Sequence, residues 1–300
     1  MLRQKLIAYV ELVRAHNLVV VLFTTYVGYA IVYRTLYASL GLDHWFPLIA
    51  AVVVLVAAGG YAINDYFDRD IDAINKPERP IPSGRISPHE ALFLSIVVGV
   101  AGLGIALLIG PLAFVYALVN AVLVYTYSWR LKRTGFIGNI VIAFNSASSI
   151  IFGGLAYAEL VKAWHSLNTV IVVASIAFLL VLAREFVKGV EDYVGDKAHG
   201  VRTLAVILGP RRASLIALFT ILIVVVISPI PYVLGLYSIT YLVLATIVDI
   251  IALYSTLKLV RAQNPIEEAA RTRRALKICF LIGAIAFIVG LVPISQQMGL

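Results

Sequence analysis

Apolar stretches of about twenty residues, each closed by a polar or proline- and glycine-containing segment, repeat along the whole chain. Nine of them lie at about 9–33, 46–66, 90–108, 111–129, 136–157, 168–188, 212–230, 238–257 and 278–297. A helix of roughly 20 residues spans the ~30 Å hydrocarbon core of a bilayer, so each stretch predicts a transmembrane helix. The short alternating segments of a membrane barrel do not occur. The chain therefore reads as all-α, a polytopic membrane protein of nine transmembrane helices. Its inner connections at 65–89 and 189–211 are long and polar, and are expected to form a cap over the bundle. No polar stretch is long enough for a separate soluble domain, so residues 1–300 are taken as one membrane domain.

Composition agrees, with 61% hydrophobic residues and a mean hydropathy of +0.96, against about 45–50% apolar in soluble domains. The first fourteen residues carry Leu2, Leu6, Tyr9, Val10 and Val13 on one helical side and lack a small-residue cleavage site. They read as an interfacial lead-in to the first span, or as its plain flank. The net charge of +8 raises the question of nucleic acid, but its distribution answers it. With the N-terminus in the cytoplasm, all but Arg34 and Lys162 of the 24 Lys and Arg residues fall on the inner side, as the positive-inside rule requires. The protein is expected in the cell membrane, in contact with membrane lipids, and no nucleic-acid partner is implied. Trp45, Trp129 and Trp164 fall at span ends, where interfacial belts form. The single cysteine, Cys279, permits neither an internal disulfide nor a thiolate metal centre.

The acids sharpen the picture. Six of the eight aspartates lie in two clusters, Asn64-Asp65-Tyr66-Phe67-Asp68-Arg69-Asp70-Ile71-Asp72 and Glu191-Asp192-Tyr193-Val194-Gly195-Asp196, whereas the eight glutamates are scattered. Each cluster ends a span on the predicted inner side, and each contains aspartates four apart, which share a helix face. On a continuous helix Asn64, Asp68 and Asp72 form one stripe with Asp65 beside them. A second stripe runs from Glu185 through Lys188 to Asp192 and Asp196. Ionised carboxylates so close repel one another, and a divalent cation relieves the conflict. Mg²⁺ suits the arrangement, because it takes one or two carboxylates and bridges to substrate phosphate oxygens. Asn64, Asp65, Asp68, Asp72, Asp192 and Asp196 are the candidate metal ligands. Glu185, deeper in its span, is a candidate base.

Basic residues that could receive a diphosphate follow each cluster: Lys76, Arg79 and Arg85, then Lys132, then Lys197 and Arg202, with Lys188 between them. A lipid bearing a diphosphate head would set that head on the metal and its chain in the bundle. Metal neutralises the leaving pyrophosphate and eases C–O cleavage. Apolar and aromatic walls such as Tyr125, Tyr127 and Phe144 would exclude water. The two acidic clusters also suggest an internal repeat, about 1–133 and 134–260, each with an aspartate pair followed by a Pro-started span at Pro88 or Pro210.

Other features carry less. The five histidines are dispersed and have no zinc spacing, and no nucleotide-binding glycine pattern is present. Asp249, inside the eighth span, is either functional or an inward-facing structural group. Asn120, Asn145 and the Ser146, Ser148 and Ser149 run read as a polar-lined interior or as helix-packing contacts, packing being favoured because small residues let helices approach closely. A cation-coupled transporter is the alternative from another class, although transporters place ions near the midplane rather than at helix ends.

Five motifs together resemble the UbiA superfamily of intramembrane prenyltransferases over almost the whole chain. They are Asn64-Asp65-x-x-Asp68-x-x-x-Asp72, the run Arg79-Pro80-Ile81-Pro82-Ser83-Gly84-Arg85, Tyr127-Ser128 with Leu131-Lys132, Gly138-Asn139, and Asp192-x-x-x-Asp196. The resemblance implies nine helices around a central cavity, two Mg²⁺ ions, and transfer of an isoprenoid chain from a prenyl diphosphate donor. By motif position, Asn64, Asp68, Asp72, Asp192 and Asp196 would hold the metals, and Lys132 with the basic loop residues the diphosphate. Arg14 and Asn17 resemble a position near the acceptor. The segment Arg184-Glu185-x-x-Lys188-Gly189-Val190-Glu191-Asp192, with Gly200-Val201-x-Thr203-Leu204, looks most like the archaeal members that build membrane ether lipids. That likeness implies a geranylgeranyl donor and the hydroxyl of geranylgeranylglyceryl phosphate as lipid acceptor. An aromatic acceptor, on the way to a quinone or haem, is the same-family alternative. Gly189 stands where many relatives carry an acid, which leaves that role to Glu185 or Glu191.

Overall fold

The computed structural model describes residues 2–37 and 41–291. Thirteen α-helices follow in order: α1 Leu2–Leu12, α2 Ala15–Tyr37, α3 Phe46–Asn75, α4 Pro88–Ile109, α5 Pro111–Trp129, α6 Phe136–Val161, α7 Leu167–Glu191, α8 Tyr193–Ala198, α9 Leu204–Leu208, α10 Pro210–Ile227, α11 Ile230–Val233, α12 Ile239–Arg261 and α13 Pro265–Val289. Among the described residues the one β contact is an isolated bridge between Tyr237 and Leu291. Eight described helices, α2 to α7, α10 and α12, are long and apolar enough to cross a membrane. The ninth expected run, 278–297, falls partly outside the described residues. Its helix begins at Pro265, well before the expected boundary, because Asn264 caps it through Ile266 N and Glu267 and Glu268 occupy its first turn.

Local sequence places most boundaries. Ser87 and Glu90 close a capping box on α4, with Pro88 in the first turn. Pro111 and Pro210 start α5 and α10 in the same way. The expected first span at 9–33 divides in two. Arg14 takes φ +52°, so α1 turns aside and buries Ala8 and Leu12 against Ala62, Ile81, Ile86 and Ala91. Leu6 and Val10, from the predicted apolar side, remain exposed. The polar stretch 189–211 is not an open loop, since it folds into α8 and α9. Thr203 caps α9 by accepting from Val206 N.

Close helix contacts hold the bundle. A Cβ on Gly28 would sit 1.8 Å from Ile150 O, and one on Gly153 would sit 2.1 Å from Thr25 O, so α2 and α6 touch backbone to backbone. At the far end from the aspartates, the buried Glu159 accepts hydrogen bonds from Leu112 N and Ala113 N at 3.0 and 2.7 Å. A carboxylate thus satisfies the N-terminus of α5 where little water reaches it. Asp249 accepts from Ser228 Oγ at 2.5 Å, and Tyr241 OH donates to Ser228 O. It lines a separate, mostly apolar cavity of about 40 Å³, a structural role for this intramembrane acid.

Candidate active site

Helix α3 continues unbroken past Asp72 to Asn75, so the predicted stripe of Asn64, Asp68 and Asp72 forms. All three line a cavity of about 710 Å³ bounded by α2, α3, α5, α6, α7 and α13. The opposite wall carries Glu185 and Lys188 from α7, and the floor reaches Val52 and Phe152. From Asp68 to Val52 is sixteen residues of helix, a depth of about 24 Å. Polar mouth and apolar shaft are one space.

At the mouth, charge is closely balanced. Asp68 accepts from Asn64 Nδ2 at 3.0 Å and pairs with Lys132, which a short 3₁₀ turn at Leu131–Thr134 presents. Asp72 accepts from Arg79 Nη1 at 2.5 Å. Arg79 comes from the turn after α3, where Ile86 N bonds Pro80 O and Gly84 takes φ +73°. Arg14 also lines the cavity and lies 5.3 Å from the centre of the Tyr61 ring.

Asp65, expected among the metal ligands, is engaged elsewhere. It is only 4% exposed, accepts from Arg14 Nη2 at 2.6 Å and Arg79 Nη1 at 3.2 Å, and does not line the cavity. Three residues from Asp68, it lies about a sixth of a turn round the helix from that residue.

The second predicted stripe bends at Asp192, with Asp192 N still donating to Lys188 O and Asp196 N to Asp192 O, both at 2.9 Å. Asp192 ends α7 as its C-cap, and α8 starts at Tyr193. Glu185 and Lys188 line the cavity, whereas Asp192 and Asp196 lie past its rim. Burial in the junction raises the pKa of Asp192, with Glu191 adding to the rise and Lys188 and Arg273 opposing it. Burial raises Asp196 too, and the charge of Asp192 adds to that. Like-charged neighbours of this kind favour a cation between them.

Of the remaining candidates, Asn17, Lys76 and Tyr127 line the cavity, and Arg85, Lys197 and Arg202 do not. Arg85 pairs with Glu11 at 2.7 Å and donates to Glu78 O, tying the turn to α1. Lys197 lies over the Tyr193 ring at 5.7 Å. The backbone of Arg202 accepts from Phe136 N. Among the expected aromatic walls Tyr127 alone lines the cavity; Tyr125 bonds Ser95 between α4 and α5.

The polar run combines the two expected roles. Ser149 bonds Thr24 across α2 and α6 at 2.7 Å, and Asn145, Ser146 and Ser149 line the cavity as well. Asn120, Ser148 and Tyr116 line the shaft and bond one another. Lys277 and Arg184 also line the cavity and stood outside the predicted site. Lys277 stands just before the last apolar run and outside both acidic clusters, while Arg184 sits within a motif whose spacing points to the acids.

One amide oxygen and two carboxylates along the mouth are hard oxygen donors, a set that suits Mg²⁺. Among the described residues no three acidic, His or Cys groups converge on one point, so substrate phosphate oxygens would complete the coordination.

A helical membrane bundle with a charged mouth over an apolar shaft is built for an amphiphile with an anionic head. Residues 21–281 match the UbiA prenyltransferase family, and the chain belongs to that family. It is 46% identical to a digeranylgeranylglyceryl phosphate synthase of Hyperthermus butylicus, over 96% of this chain and 98% of that one. A solved structure concerned with digeranylgeranylglyceryl phosphate synthase in membranes superposes with a TM-score of 0.81 at 35% identity, covering 95% and 98% of the two chains. A UbiA homologue from Archaeoglobus fulgidus, solved with GPP and Mg²⁺, shares the fold at a TM-score of 0.60 and 21% identity, over 93% and 99%.

Proposed function

We propose that this prenyltransferase moves a geranylgeranyl group from geranylgeranyl diphosphate to the free hydroxyl of geranylgeranylglyceryl phosphate, releasing pyrophosphate. The observation that carries it is the single cavity joining Asn64, Asp68, Asp72 and Lys132 to a shaft about 24 Å deep. A diphosphate head and a four-isoprene chain fit that division of chemistry. The names of the near full-length relatives support the acceptor.

The donor's C–O bond breaks with its electron pair leaving on pyrophosphate, and the acceptor oxygen forms the new ether bond. The hydroxyl proton passes to Glu185, a carboxylate on the α7 wall of the cavity. Lys132 and Arg79 exchange their carboxylate partners for diphosphate oxygens as the head enters. Asn64, Asp68 and Asp72, with Asp192 and Asp196 from the α7 side, would hold two Mg²⁺ ions. Bound magnesium supplies neutralisation of the leaving pyrophosphate. The bonded trio of Tyr116, Asn120 and Ser148 fixes the shaft wall, and its apolar neighbours keep water from the allylic cation. The mouth and N-terminus face the cytoplasm, in keeping with the basic excess on that side.

Radiolabelled geranylgeranyl diphosphate, offered with geranylgeranylglyceryl phosphate and with aromatic acceptors in parallel, tests the assignment. A labelled diether phosphate identified by mass spectrometry is expected. Exclusive labelling of an aromatic acceptor refutes it.

A further inference from the structure

The cations of the cavity fall into two kinds. On the α3 side Arg14, Arg79 and Lys132 are all ion-paired, to Asp65, Asp72 and Asp68. On the α7 and α13 side, Lys277 and Lys188 make no carboxylate contact within 4 Å among the described residues, and Lys188 acts on Asp192 and Asp196 only at longer range. Arg184 donates from Nη1 to Glu185 at 2.8 Å, while its Nε is buried with no hydrogen-bond partner among the described residues. A buried guanidinium N–H without an acceptor is costly and signals a missing anion.

Geometry brings these three groups within two adjacent turns of one wall of the cavity. Arg273 of α13 holds Glu191 of α7 through two contacts, one of them 3.1 Å. The helices run antiparallel, so one turn into the bundle from Arg273 stands Lys277, and one turn in from Glu191 stand Val187 and Lys188. Arg184 follows a turn deeper on the same face as Lys188. Lys277 shares its cavity-lining face with Phe280 and Leu281, at three- and four-residue spacing.

We infer that Lys277, Arg184 and Lys188 form an anion subsite for the phosphate monoester of the acceptor lipid, across the cavity from Asn64, Asp68 and Asp72. This rests on the acceptor reading above. A phosphate monoester carries a charge of about −1.5 to −2 near neutrality and three acceptor oxygens. One planar guanidinium and two mobile ammonium groups match it without drawing on Asn64, Asp68 or Asp72. The division also orients the reaction: the phosphate held on α7 and α13 leaves the glycerol hydroxyl pointing across the cavity toward the diphosphate carbon. Phe280 and Leu281 give the acceptor's own chain an apolar surface beside that subsite.

Two measurements on the detergent-purified chain test it. In the first, tritiated geranylgeranylglyceryl phosphate is bound at equilibrium to wild type, K277A, K277R and R184Q, with geranylgeranylglycerol, which lacks the phosphate, as competitor. In the second, prenyl transfer is followed with each substrate varied in turn. K277A and R184Q are expected to weaken acceptor binding and raise acceptor KM roughly tenfold or more, with donor KM within about twofold. K277R is expected to recover most of the loss. The preference for the phosphorylated acceptor over the free alcohol falls in parallel. Lys277 is exposed, so its variants keep the fold.

Binding of the acceptor that depends on Lys277, without prenylation, upholds the subsite and overturns the proposed reaction. Prenylation with unchanged acceptor KM in K277A and R184Q upholds the reaction and overturns the subsite. Absence of acceptor binding overturns both. A donor KM that rises as much as the acceptor KM assigns the cluster to diphosphate and overturns the subsite. So does an effect of K277A that appears in anionic phosphatidylglycerol nanodiscs and vanishes in phosphatidylcholine ones, which assigns the cluster to a membrane headgroup.

Discussion

Asp65 separates two readings of the mouth more cleanly than any other residue. As a metal ligand it would act on the ion; as it stands, it holds Arg14 and Arg79 apart at 2.6 and 3.2 Å from the same oxygen. Asp65→Asn keeps the shape and removes the charge. Breaking a buried ion pair by deleting one partner costs about 3–5 kcal/mol. Here the arginines are about a quarter exposed, with side-chain accessibilities of 25% and 21%, so solvent takes up roughly half of that. About 2 kcal/mol remains, which corresponds to roughly a 30-fold change in an equilibrium constant. Because both arginines line the cavity, the loss is expected in donor and acceptor KM, with kcat less affected. The assay is prenyl transfer at graded Mg²⁺, with donor concentration as the second axis. The positioning role predicts an Mg²⁺ half-saturation within about twofold of wild type at saturating donor, while Asp68→Asn shifts it strongly. A D65N variant with unchanged donor KM and an Mg²⁺ requirement displaced as far as that of D68N refutes the reasoning.

Asp68→Ala or Asp192→Ala is expected to lower turnover at least ~100-fold, the scale of losing a main electrostatic contributor to catalysis, with monodisperse protein in detergent; wild-type turnover in both, or full activity in EDTA, contradicts the metal assignment. Glu159→Ala leaves two buried N–H groups at the start of α5 without their acceptor, at about 2–3 kcal/mol. A fall of several degrees in melting temperature is therefore expected, read by a thiol dye on the buried Cys279, with KM unchanged. Val53→Phe narrows the deep end of the shaft. It should cut kcat/KM for geranylgeranyl diphosphate about tenfold or more while sparing geranyl diphosphate; equal loss on both donors argues against chain insertion along α3.

Much was readable before any coordinates. Spanning helices announce themselves because lipid forces about twenty apolar residues into each crossing, and the boundaries at Pro88, Pro111 and Pro210 follow from backbone chemistry local to the chain. The stripe Asn64, Asp68 and Asp72 followed from helical period alone, since nothing between them breaks α3. Asp192 and Asp196 show the limit of that reasoning. The same spacing carries a bend there, because α7 ends at Glu191 and α8 starts at Tyr193, and the cavity is lined by Glu185 and Lys188 but not by Asp192 or Asp196. Which acid faces the cavity is likewise a matter of partners. Asp65 is one residue from Asn64, yet it lies behind the cavity wall, held by Arg14 and Arg79, and neither is within a helical turn in sequence. Lys277 shows the same thing from the other side: its helix begins thirteen residues before the apolar run, and only the antiparallel contact with α7 brings it level with Lys188. Periodicity is a property of one segment and can be read along it, whereas the charge environment of a cavity is the sum of contacts between segments.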